Sequence, residues 1–225
     1  MKPRQLTFDL AQTETYARAD FFASPANASA LTALAHWQSW PAGKLVLIGP
    51  EGAGKTHLAH IWAAESGANL LTPNDLQTDR LPSLGALIVL DNADLLAGNP
   101  ALETALFHLH NLVMAAGGRL LLTARTPPRD WGLGLPDLLS RLQATPLTRL
   151  DPPDDALLSA VLIKLFADRQ ITVPPNLIPY LTSRMDRSIA AARALVMALD
   201  ALALSNARPV TRALAADLLD RDRPE

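Results

Sequence analysis

The sequence predicts an α/β fold, a parallel sheet flanked by helices, with a small all-helical part behind it. Three observations carry this. Short apolar runs suited to buried strands alternate with helical segments between residues 44 and 124. A glycine-rich loop, Gly49-Pro50-Glu51-Gly52-Ala53-Gly54, sits at the first strand-to-helix junction. After Leu150 the pattern is helical only.

Taken in order, residues 1–20 mix polar and apolar positions without a period and read as an extended arm. From 27 to 40, Leu31, Leu34 and Ala35 recur at helical spacing behind Ser24-Pro25, and Pro41-Ala42-Gly43 closes the segment. Lys44-Leu45-Val46-Leu47-Ile48 suits a strand covered on both faces, and a helix follows the glycine loop as far as Ser66. Two further strands are expected at Gly85-Ala86-Leu87-Ile88-Val89-Leu90 and Arg119-Leu120-Leu121-Leu122-Thr123. The helix between them runs from Pro100 to Ala116 and stops at Gly117-Gly118. Asp151-Pro152-Pro153-Asp154-Asp155 combines a turn with an acidic helix start, and four helices follow at about 154–169, 174–184, 187–205 and 210–220. The expected organisation is an arm over 1–20, an α/β unit over 21–150 and a helical unit over 151–225.

Composition narrows the function. The chain is 49% hydrophobic and 19% charged with a net charge of −2, which suits a chain that buries one sizeable core. No apolar run approaches the ~18 residues of a membrane span and the start lacks a secretory signal, so a cytoplasmic location without a membrane partner is expected. The absence of cysteine excludes disulfides, thiolate metal sites and cysteine nucleophiles. Residues 151–225 carry nine Lys/Arg against ten Asp/Glu, a net of −1, so DNA affinity of its own is not expected. The scattered tryptophans read as core residues, and the five histidines lack a convincing third ligand for a metal.

Gly49-Pro50-Glu51-Gly52-Ala53-Gly54-Lys55-Thr56 fits G-x-x-x-x-G-K-[ST] throughout, between a buried strand and a helix. In that setting backbone N–H groups turn around a β-phosphate and the helix N-terminus adds positive potential. Lys55 reaches the β/γ oxygens and Thr56 offers a hydroxyl to Mg²⁺. His57 follows at the start of the same helix. Such a loop needs an acid at the end of a neighbouring strand, and Asp91 stands there, 36 residues after Lys55. The next residue, Asn92, can orient water but cannot take its proton, so intrinsic hydrolysis should be slow.

On these residues the sequence resembles the AAA+ ATPases, and within them the DnaA/Hda family of bacterial replication proteins, on the Hda side. The resemblance covers nearly the whole chain and implies a P-loop AAA+ base followed by an all-α lid. It implies bound ADP or ATP with Mg²⁺ held by Thr56 and Asp91. Asp20-Phe21-Phe22-Ala23-Ser24-Pro25-Ala26-Asn27 is similar to the segment that borders the adenine, which marks Phe22 and Asn27; the same residues would also make a plain helix cap. Leu90-Asp91-Asn92 resembles the Hda form of the acidic motif. Leu121-Leu122-Thr123-Ala124-Arg125 resembles the sensor 1 strand end, with Thr123 placed toward a γ-phosphate, although Arg125 departs from the acid common there. Asp137-Leu138-Leu139-Ser140-Arg141-Leu142 resembles the segment that carries an arginine finger, so Arg141 would act in trans on a neighbour's nucleotide; an ordinary surface ion pair is the alternative. Arg193 matches the sensor 2 arginine, with Arg187 close enough in sequence to be confused with it.

Gln5-Leu6-Thr7-Phe8-Asp9-Leu10 resembles the short motif by which replication proteins dock on the β sliding clamp of DNA polymerase III. Gln5 would fix the register while Leu6, Phe8 and Leu10 enter an apolar pocket; an edge strand packed on its own chain is the alternative. The resemblance thus implies a regulator that stimulates ATP hydrolysis by the initiator DnaA on the DNA-loaded clamp. DNA would be met only through the clamp, and a finger acting in trans implies a homodimer or head-to-tail oligomer. A DNA-remodelling ATPase, such as a helicase loader or truncated initiator, is the second reading. The chain's end at Glu225 without a basic helix-turn-helix and the charge count weigh against it. A nucleotide kinase, the third, is disfavoured by the helix-only C-terminal part.

Overall fold

A computed structural model of the chain describes Arg18 and residues 21–76 and 83–221. The arm residues Gln5, Leu6, Phe8 and Leu10 lie outside the described residues. Five strands form one parallel sheet: β1 (Lys44–Ile48), β2 (Asn69–Leu71), β3 (Leu87–Leu90), β4 (Arg119–Ala124) and β5 (Leu147–Arg149), in spatial order β2-β3-β4-β1-β5. Helices α1 (Ala28–Ala35), α2 (Lys55–Ser66), α3 (Pro100–Ala115) and α4 (Pro136–Gln143) cover it.

The strands read as continuous apolar runs because both faces are buried, and alternate residues go to different layers. Val46, Ile48, Ile88, Leu90, Leu120 and Leu122 face the cluster that holds Leu106, Leu109, Leu138 and Leu142 of α3 and α4. Leu45, Leu47, Val89 and Leu121 face the other, with Leu34 of α1 and Leu58, Ile61 and Trp62 of α2. Local signals fix the helix starts. The Asn99 side chain accepts from Ala101 N and Leu102 N ahead of Pro100, the Asp154 carboxylate caps Leu157 N, and the Ser188 hydroxyl caps Ala191 N.

Among the described residues beyond β5 only helices follow: α5 (Asp155–Asp168), α6 (Leu177–Thr182), α7 (Ile189–Asn206) and α8 (Arg212–Arg221), which share a separate core of Leu162, Phe166, Leu177, Leu181, Val196 and Leu199. All four sit where the sequence expects them.

Three expectations need correction. The helix expected over 27–40 ends at Ala35, an exposed residue; Ala30 and Leu34 are its buried positions. The chain then tightens through short turns at Trp37–Ser39 and Pro41–Gly43. This turns the Trp40 indole inward, where its Nε1 donates to Ala33 O at 2.7 Å and its ring stacks on Trp62 at 5.2 Å. Strands β2 and β5 were not expected, because three residues are too few to show a period. Finally, α7 is long and apolar enough to span a membrane by length and composition, with mean hydropathy 1.5 over 18 residues. Arg193 and Asp200 interrupt it, Asp200 pairs at 3.8 Å with Arg169, which follows the last residue of α5, and Ala192, Leu195, Val196 and Leu199 sit in the helical core.

Leu122, fully buried at the middle of β4, tests how far this sheet carries the stability. Leu122→Ala should cost about 2–5 kcal/mol, read as a lower urea midpoint with unchanged slope.

Candidate nucleotide site

The carboxyl ends of β1, β3 and β4 point to one edge of the sheet, where open α/β folds place their ligands. From β1 the chain enters the loop Gly49-Pro50-Glu51-Gly52-Ala53-Gly54, and α2 begins at Lys55. Lys55 and Thr56 therefore occupy the first turn of α2, whose unpaired N–H groups and dipole favour an anion. Lys55 is buried, and its ammonium donates to the carbonyls of Gly49 and Pro50 at 2.8 Å each. Burial holds this lysine below its usual range, partly opposed by the charges of Asp94 and Asp91.

Asp91 follows β3 and is buried. Its Oδ2 accepts from Thr56 Oγ1 at 2.8 Å and from Asn92 Nδ2 at 2.9 Å, and its Oδ1 accepts from Thr123 Oγ1 on β4. The Thr123 hydroxyl in turn accepts from Asn92 N at 2.8 Å. One carboxylate thus ties the phosphate loop helix to two strand ends. Thr56 Oγ1 and Asp91 Oδ2 are hard oxygen donors side by side, a pair that fits Mg²⁺.

Two neighbours complete this edge. Asp94 lies three residues beyond Asp91; its Oδ2 accepts from Arg125 N at 3.2 Å while its Oδ1 is buried without a hydrogen-bond partner among the described residues. The Arg125 guanidinium reaches Glu51 of the loop at 3.5 Å, an exposed pair of small energetic consequence. The sequence reading missed Asp94, whose only signal is an acid at the same strand end.

The segment before β1 and the start of α7 close the loop from outside. Asn27, almost wholly buried, donates to Phe22 O at 2.8 Å and accepts from Ser24 N at 2.9 Å, so its amide shapes this turn. Phe21 brings its ring to the loop: it meets His57 edge-on at 5.3 Å and lies 3.7 Å from where a Cβ on Gly54 would stand. Phe22 contributes its carbonyl to Asn27. Ile189 N donates to Gly52 O at 2.8 Å, and a Cβ on Gly52, whose φ is +72°, would collide with the Ser188 hydroxyl. Gly52 is thus required both by its backbone and by α7. Arg187 is committed to Asp155 at 2.7 Å, whereas Arg193 lies one turn beyond Ile189 on the same face of α7.

Arg141 is elsewhere. It is exposed in the last turn of α4, its carbonyl accepts from Lys44 Nζ at 3.2 Å, and its guanidinium lies over the Phe107 ring at 5.1 Å. Lys44 begins β1, whereas the phosphate loop leaves its far end. Four rises of ~3.3 Å from Lys44 to Ile48 put about 13 Å between those two ends.

No family model matches the chain. Among solved structures it is similar to domain III of the replication initiation protein DnaA of Thermotoga maritima, at 20% identity and a TM-score of 0.79, covering 92% of this chain and 96% of that one. AMPPCP-bound DnaA from Aquifex aeolicus is similar at 16% identity and a TM-score of 0.67, covering 82% and 65%. The Holliday junction branch migration motor RuvB of Thermotoga maritima is similar at 19% and 0.62, covering 80% and 61%. This chain therefore spans less than two thirds of the length of the latter two proteins. The fold is that of a P-loop AAA+ module, a parallel five-stranded sheet with a helical part behind it. More narrowly, it is the fold of DnaA domain III.

Lys55→Ala should leave the fold intact and weaken binding of a fluorescent adenine nucleotide. Loss of a charge-assisted hydrogen bond of about 1.5–3 kcal/mol corresponds to an affinity lower by one to two orders of magnitude, measurable by equilibrium titration.

Proposed function

We propose that this chain is a nucleotide-binding AAA+ regulator of the Hda kind. It binds ADP or ATP, docks through its N-terminal arm on the β sliding clamp loaded on DNA, and supplies Arg141 in trans to ATP held by the initiator DnaA, which limits re-initiation. In this reading residues 21–150 are the nucleotide-binding base and residues 151–225 the lid.

The observation that carries the reading is the place of Arg141. The exposed Arg141 is tied through its carbonyl to Lys44, which begins β1, and about 13 Å of strand separates that end from the end that feeds the chain's own phosphate loop. Its chemistry is directed at another molecule's nucleotide, where a planar cation offsets charge as a γ-phosphoryl group departs. Among the described residues no carboxylate pairs with it, which weighs against an ordinary surface ion pair.

The chain's own loop serves a different purpose in this reading. Asn92 spends its amide nitrogen on Asp91 and has no basic atom to accept a proton from water, so own turnover is slow. Thr56 and Asp91 would hold Mg²⁺, whose charge would offset that of the β- and γ-phosphates. Lys55 would exchange the carbonyls of Gly49 and Pro50 for phosphate oxygens. With Ser188 and Ile189 seated on Gly52, a change at the loop reaches α7 directly, so nucleotide acts as a conformational ligand that sets the angle of the lid. Arg193, on the same face of α7 as Ile189, would reach the nucleotide from the lid, and Phe21 and His57 would border it.

The test is conversion of ATP to ADP on purified ATP-bound initiator, with DNA-loaded clamp, in the presence and absence of this protein. A stimulation that requires the clamp is expected; no stimulation by a protein that still binds nucleotide would refute the reading. Arg141→Ala should fold, bind nucleotide and bind clamp normally while stimulation falls by about 10³-fold or more. Leu6→Ala with Phe8→Ala should abolish capture by immobilised clamp and leave nucleotide affinity unchanged.

A further inference from the structure

Helix α4 has eight residues, and only Leu138 and Leu142 are buried. A helix this short does not hold itself, so the placement of its last turn must come from outside. Part of that hold comes from one stripe of α3, beside the core packing of Leu138 and Leu142. Glu103, Phe107 and His110 are spaced i, i+4, i+7 and share a face. Glu103 and Phe107 meet the segment that carries Arg141 directly, and His110 reaches it through Lys44.

At the entrance of α4, the buried Glu103 carboxylate accepts from Gly134 N at 2.9 Å and Leu135 N at 2.8 Å through Oε2, and from Gly98 N at 3.1 Å through Oε1. Near the exit, the Phe107 ring lies under the Arg141 guanidinium. His110, also buried, shares a hydrogen bond with Lys44 Nζ through Nε2 at 3.2 Å, and Lys44 donates as well to the Arg141 carbonyl, which takes a further bond from Thr145 Oγ1 at 3.0 Å. These donors satisfy a last-turn carbonyl that the helix itself leaves unpaired. With Lys44 donating, Nε2 of His110 is the acceptor and its Nδ1–H is directed to Asn111 Oδ1 at 3.3 Å.

The electrostatics are one-sided. Burial lowers Lys44 from the usual lysine range and the nearby Arg141 charge lowers it further. Among the described residues neither cation has a carboxylate in ion-pair contact, and Glu103, the acid on the same stripe, is committed to three backbone N–H groups. Two cations crowded together without a counter-charge make a local field suited to an incoming anion. A face of aromatic carbon steadies the guanidinium without neutralising it, as a carboxylate would.

We infer that Phe107 and Lys44 are positioning residues for Arg141: the Glu103–Phe107–His110 stripe of α3 is the template that holds α4 at both ends and presents an unneutralised guanidinium in one orientation. The inference rests on the reading of Arg141 as a finger acting in trans. Presenting one orientation removes ordering from the moment of encounter, so its loss should lower the stimulated rate at saturation more than it weakens assembly.

The test compares Phe107→Leu, which keeps apolar volume, with Phe107→Tyr, which keeps the ring. Stimulation of initiator ATP hydrolysis is measured as a function of protein concentration on DNA-loaded clamp, together with the Arg141 Nε–Hε resonance of each protein. Phe107→Leu should lower the saturating rate by about two- to tenfold with little change in half-saturation, and remove the ring-current shift of that resonance. Phe107→Tyr should restore both, and Phe107→Leu should add nothing in an Arg141→Ala background. Lys44→Met should likewise lower the saturating rate while nucleotide affinity stays unchanged. Full stimulation by Phe107→Leu alongside a dead Arg141→Ala would overturn the positioning role and leave the finger standing. Equal losses in the Leu and Tyr variants would mark Phe107 as mere packing and overturn it too. Full stimulation by Arg141→Ala would overturn finger and template together.

Discussion

The Asp91 carboxylate is the junction on which the candidate site depends. It is buried at the end of β3, and a buried carboxylate is tolerable only when its lone pairs are used. Thr56 from α2, Thr123 from β4 and Asn92 beside it use them. The phosphate loop, the acidic strand end and the adjacent strand therefore cannot shift independently. Thr56 and Thr123 are thereby linked through one carboxylate.

That rigidity contrasts with what covers the loop. The helical part meets the phosphate loop through a short contact at the start of α7, where Ser188 and Ile189 sit on Gly52. The helical core is a separate cluster with its own packing. The need for a glycine at position 52 follows from both sides of the contact, the positive φ of the loop and the closeness of the Ser188 side chain.

β1 separates two kinds of cationic chemistry. At its carboxyl end Lys55 donates to two backbone carbonyls, with the charges of Asp94, Asp91 and Glu51 nearby. At its amino end Lys44 and Arg141 stand close together, with no acid in contact among the described residues. The strand is too short to be a domain boundary and too long for one side chain to cross. On the proposed reading, a chain with both features holds one nucleotide and addresses another.

How much of this was legible in the sequence follows from the range of each interaction. The phosphate loop, the strands 44–48 and 119–124, the helices of the C-terminal part and the acid at 91 were all readable, because glycine spacing, caps and apolar runs act within a few residues. β2 and β5 were not, since three-residue strands exist only by pairing with neighbours. The early end of α1 was set by Trp40 turning onto Trp62, and the place of Phe21 over the loop, beside Phe22 in sequence, by contact with His57. Asp94, Ser188 and the α3 stripe behind Arg141 acquire a meaning only when segments tens of residues apart meet. The sequence by itself determined which residues could bind phosphate. Tertiary structure alone decided that Arg141 lies at the opposite end of β1 from that loop, because the direction of a strand within a sheet depends on all its neighbours at once.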